Sequence, residues 1–200
     1  MQESEVIDGS LRRAVCLVAL LNLGYFGVEF TVALAIGSVS LFADSVDFLE
    51  DTAINLLIFA ALGWSPKRRA WTGMALAGII LVPGLAALWM AWQKLNLPVA
   101  PDPVPLTLAG AGALAVNLAC AFILARYRAH QGSLTRAAFL SARNDALANI
   151  AIITAGMITA WVWHTAWPDL IVGLGIVAMN ADAAREVWQA ARQEHHAARA

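Results

Sequence analysis

Apolar runs separated by short polar breaks divide the chain into six segments, about 11–36, 38–62, 71–93, 104–125, 136–164 and 170–189. Each is long enough, at roughly 20 residues, for a helix to cross a hydrocarbon layer. Gly37 stops the first run, residues 64–69 and 126–135 form basic turns, 94–103 is Pro-rich, and Trp167-Pro168-Asp169 reads as a tight turn. Pro83-Gly84 predicts a kink within the third span. The pattern predicts an all-α membrane protein of six transmembrane helices. Residues 1–10 form a short N-terminal segment, with Ser10 capping a helix that begins at Leu11. Residues 11–190 form the transmembrane domain, and 191–200 a short tail with no soluble domain, a helical extension of the last span.

The polar positions inside these runs are few. In the second span Asp44, Asp47 and Asp51 stand at i, i+3 and i+7, with Ser40 before and Asn55 after, so they share one helix face; Glu50 lies at its edge. In the fifth span Ser141, Asp145 and Asn149 share a face at i, i+4 and i+8. Asn22 and Glu29 share a face of the first span, with helix–helix hydrogen bonding and an ion path equally open to them; Asn117 is the one strongly polar residue of the fourth. Ionisable groups at bilayer depth cost at least about 2.5 kcal/mol each on insertion scales, so they face protein-lined paths and mark function.

Composition removes several function classes. The chain of 200 residues is 60% hydrophobic and 14% charged, with a mean hydropathy of +0.66, outside the range of soluble domains. A net charge of −1 argues against a nucleic-acid partner. Cys16 and Cys120 lie in apolar runs and indicate no disulfide framework. The run from Ala14 to Gly37 is too long for a signal peptide and reads as a retained span. Of the 13 basic residues, Lys94 alone falls on one side and the rest fall on or near the other, which places both termini in the cytosol. Compactness and that charge pattern suggest a bacterial plasma membrane.

In this topology Asp51 and Asp145 lie ~16 and ~14 Å from the cytosolic ends of their helices, at 1.5 Å per residue. Asp47 lies one turn further out, so two helices can aim three carboxylates at one region near the midplane. Three close carboxylates in a low dielectric cannot all stay ionised without a cation among them. The residues therefore point to exchange of a divalent cation for protons on shared oxygens.

Gly37-Ser38, Leu41, Ala43-Asp44-Ser45, the Asp47-x-x-x-Asp51 pair, Asp145 and Asn149 together resemble the metal-site motifs of the cation diffusion facilitator family, over about residues 11 to 190. The resemblance implies six spans with cytosolic termini and export of Zn²⁺ and related divalents by proton antiport. It assigns metal ligation to Asp47, Asp51 and Asp145, and its first fifth-span ligand, a His or Asp, falls here on the neutral hydroxyl of Ser141. That departure opens the fourth position to water, Asn144 or a shifted Asp44. A second departure is the absence of the cytosolic domain with which many members dimerise, leaving a homodimer to the transmembrane helices or the tail, where His195-His196 is a solvated pair or a metal-sampling remnant.

The expected activity is export of Zn²⁺, with Cd²⁺ and Co²⁺ as co-substrates, through a lipid-embedded protein that is not an enzyme and carries no resident cofactor. Oxygen-only ligation keeps a Mn²⁺/Fe²⁺ exporter open as an alternative. An intramembrane metalloenzyme is disfavoured because no span carries a mid-depth His and HExxH is absent. A non-transporting subunit using its carboxylates for helix packing would need more basic partners at depth than Arg143.

Overall fold

A computed structural model describes residues 2–61, 84–125 and 132–197, all connected as helices and short turns. In chain order the elements are α1 (Gln2–Ile36), α2 (Val39–Ala61), α3 (84–96), α4 (Pro103–Ala125), α5 (Gly132–Trp161) and α6 (Trp167–Ala197). The basic turns at 64–69 and 126–131, Trp71 and Pro83 lie outside the described residues, as do the side chains of Arg136, Ser141, Arg143, Trp188, His195 and His196.

α1 runs back through Ser10 to Gln2, so Ser10 is interior to the helix rather than its cap. Gly9 lies inside the helix, at a cost of about 1 kcal/mol. Gly37, at φ 64°, ends the helix in a left-handed turn that a side chain would strain. The Ser38 amide then donates to the Ala33 carbonyl at 3.0 Å, a Schellman closure that reverses the chain directly into α2. At the start of α4, Asp102 Oδ1 accepts from Val104 N at 3.0 Å while Pro103 occupies the first helical position.

The packing inverts the pattern of a water-soluble protein. Leu108, Phe122, Trp161 and Ile171 are exposed, whereas Asn22, Glu29, Asp44, Asp51, Asn55, Asn117, Asn149 and Asp169 are buried. An apolar coat around a polar interior suits hydrocarbon rather than water as the surrounding medium. By composition alone, two helical stretches are long and apolar enough to cross a membrane, Gly9–Ile36 and Pro103–Ala125, among the described residues. α2 carries Asp44, Asp47, Glu50 and Asp51, and those internal carboxylates are what set it apart from α1 and α4.

The core lies between α1, α2, α4, α5 and α6. α1 packs along α2, with Phe30 tilted against Phe42 at 5.4 Å and Tyr25 against Phe48 at 5.2 Å between centroids. Tyr25 donates to the Ala109 carbonyl at 2.6 Å and so ties α1 to α4. α4 packs most extensively on α5, where a side chain at Gly156 would run into Thr107. Gly173 lets α6 approach the first turn of α2: a Cβ there would stand 2.8 Å from Ser40 N. Small residues permitting close backbone approach are the usual basis of helix association in lipid.

Candidate metal site

α2 is the axis of the site because it touches α1, α4, α5 and α6. Its carboxylates share one helix face. Asp51 is buried and meets α1, accepting from Asn22 Nδ2 at 3.5 Å. Asn22 in turn accepts from Cys120 Sγ of α4 at 3.5 Å, so three helices fix the orientation of the Asp51 carboxylate. Both Asp51 and Asp145 lie within electrostatic range of Cys120.

Asp47 is half-buried and lies within electrostatic range of Asp145 across the α2–α5 interface. Asp145 is also half-buried, and its carbonyl accepts from Asn149 Nδ2 at 2.8 Å, one turn further along the same helix. The sequence-assigned acids thus share one interior region. Among the described residues, however, no three His, Cys, Asp or Glu side chains are drawn into a single coordination shell.

Ser141 lies on α5, with its side chain outside the described residues. Asn144 is exposed, and lines an open groove of about 480 Å³ between α5 and α6 with Ala148 and Gly175. Asp44, a further candidate for the fourth position, is fully buried and turns toward Glu29 of α1 and Asn149 of α5. Glu50 is half-buried at the edge of the stripe.

Sequence reasoning missed a polar network at the far end of the bundle. Asp169, read as a turn residue, is completely buried and accepts from five donors. They are Ser38 Oγ at 2.7 Å, Val39 N at 2.9 Å, Ser40 N at 3.1 Å, Ser40 Oγ at 2.6 Å and Lys94 Nζ at 2.8 Å. Lys94 also donates to the Gly37 carbonyl at 2.6 Å. A carboxylate from α6 therefore caps the N-terminus of α2, where free amides and the helix dipole favour an anion. A base from α3 neutralises it. The available signal was Lys94 itself, the lone base on its side of the chain.

The arrangement can bind and release cations: a polar interior lined by carboxylates, an apolar exterior, and helix ends latched on one side by Asp169. Comparison with curated proteins gives no match. The family model for the cation efflux transmembrane domain matches residues 15–193, nearly the whole of the 200-residue chain. The match spans α1 to α6 and includes Asp47, Asp51, Ser141 and Asp145, and on it the chain belongs to the cation efflux family of membrane transporters.

Proposed function

We propose that the protein exports Zn²⁺ from the cytosol, accepting Cd²⁺ and Co²⁺, in exchange for protons, across a bacterial plasma membrane with both termini inside. The observation that carries this reading is the placement of Asp47 and Asp51 opposite Asp145 in the polar interior of an apolar-coated bundle. Ion binding draws the carboxylates of α2 and α5 inward around one divalent charge, and proton uptake on the same oxygens releases it. Asn22 holds Asp51 in orientation, as outer hydrogen bonds commonly do for ligating side chains. The metal ion is substrate, and alternating access moves the opening from one side of these residues to the other.

Zinc, rather than manganese, is favoured by the affinity order of divalent first-row metals, while oxygen ligands shift the balance back toward harder ions. Ser141 is the position through which this balance can be read. Vesicles containing the protein and an entrapped metal indicator should take up Zn²⁺, Cd²⁺ and Co²⁺. Ser141→His should raise the preference for Zn²⁺ and Cd²⁺ over Mn²⁺ by about tenfold or more, since imidazole suits borderline metals and completes four protein ligands. An unchanged selectivity profile would show that Ser141 does not face the ion. Uptake of Mn²⁺ in preference to Zn²⁺ by the unaltered protein would favour the manganese and iron reading.

A further inference from the structure

Asp44, left open above as a fourth ligand, forms a pair with Glu29. Both are completely buried, one on α1 and the other on α2. Their carboxyl groups lie within hydrogen-bonding reach of each other, yet a carboxylate is an acceptor only. Within hydrogen-bond geometry no partner among the described residues is found for Glu29 Oε1 or Oε2, or for Asp44 Oδ1 or Oδ2, although the Asn149 amide adjoins Asp44. Buried polar atoms are nearly always satisfied, so four unpartnered oxygens on two adjacent acids require an explanation.

Asn149 of α5 supplies the independent observation. Its side chain adjoins Asp44 and is completely buried. Its Nδ2 is used on the Asp145 carbonyl, at 2.8 Å, which leaves Oδ1 as an unpartnered acceptor. Three helices thus bring five unpartnered oxygens to one locality, with a formal charge that one divalent cation balances. Oxygen-only ligation from carboxylates and an amide suits a hard or borderline divalent ion.

We infer that Glu29, Asp44 and Asn149 form a second binding site for a divalent cation, separate from Asp47, Asp51 and Asp145. Asp44 lies ~4.5 Å along the α2 axis from Asp47 and ~10 Å from Asp51, toward the Ser38 end. Asn149 is one turn beyond Asp145 in the same direction. In the export reading, on which this inference rests, that is the outward direction, and the second site receives the ion as it leaves the first. Two carboxylates without a fixed base hold a cation less firmly than three, which favours onward release.

The test is the binding stoichiometry of Mn²⁺, read by its paramagnetic resonance signal on the full chain in lipid nanodiscs. The unaltered protein should bind two equivalents. Glu29→Gln combined with Asp44→Asn should bind one, and retention of that one reports an intact fold. Asp51→Asn combined with Asp145→Asn should also bind one, now sensitive to Asn149→Ala with an affinity loss of about tenfold or more. A protein that binds one equivalent, lost with Asp51→Asn and Asp145→Asn and unaffected by Glu29→Gln and Asp44→Asn, overturns the second site. That outcome, expected if a shared proton occupies the pair, leaves the transport reading intact. Absence of flux from a protein that still binds two equivalents would instead contradict transport and leave the second site standing.

Discussion

Asp51→Ala and Asp145→Ala are each expected to lower metal flux by at least about 100-fold while the protein remains inserted and assembled. Loss of an outer hydrogen-bond partner typically costs 10- to 100-fold in metal affinity, so loss of a directly ligating carboxylate should meet or exceed the top of that range. Assembly should survive because an uncharged side chain removes the penalty of placing a carboxylate at depth. Asn22→Ala should show the smaller effect, about tenfold, since Asn22 only orients Asp51. Glu50→Gln should be milder still, because Glu50 sits at the edge of the stripe. Flux close to that of the unaltered protein in either alanine variant, at equal membrane abundance, would remove these residues from the ion path.

Asp169→Ala should be the most damaging single substitution for assembly. It removes the carboxylate that caps α2 and leaves Lys94, with 7% exposure, without its counter-charge. Loss of a helix cap costs about 1 kcal/mol, and breaking a buried ion pair by deleting one partner costs about 3–5 kcal/mol. Lys94→Met should be less severe, because Asp169 keeps its donors from Ser38, Val39 and Ser40. The measurement is thermal unfolding of the detergent-solubilised protein. A smaller loss of stability for Asp169→Ala than for Lys94→Met would show that the Lys94 contact, rather than the α2 cap, secures this end of the bundle.

The legibility of these features in the sequence follows from their range. Asp47, Asp51 and Asp145 stand out because a carboxylate in an apolar run is costly and helical spacing puts each on a definable face. Gly37 was legible for a local reason too, since the turn from α1 to α2 is closed by residues within five positions of one another. The Asp169 network was not. Its partners lie 75 to 131 residues away, and neither Pro168-Asp169 nor Ser38-Val39-Ser40 carries a periodicity that names the other. Ser10 misled for the opposite reason: a cap residue in sequence does not start a helix when nothing upstream stops one. Glu29 and Asn22 share a face, but only the packing separates them, with Asn22 bonded to Asp51 and Glu29 beside Asp44.

The central claim is that a divalent cation and protons compete for the carboxylates of α2 and α5, and coupled flux tests it most directly. Proteoliposomes containing the protein and an internal pH dye should be given a Zn²⁺ gradient at matched pH, with metal and proton movement followed together. Protons should leave as metal enters, and a proton gradient of the opposite sense should drive metal out. Acidification on both sides should weaken the metal response, because protons then occupy the shared oxygens. Asp51→Ala vesicles should show neither movement. Zn²⁺ entry with no counter-movement of protons at any pH would contradict the exchange mechanism and leave a uniporter or channel.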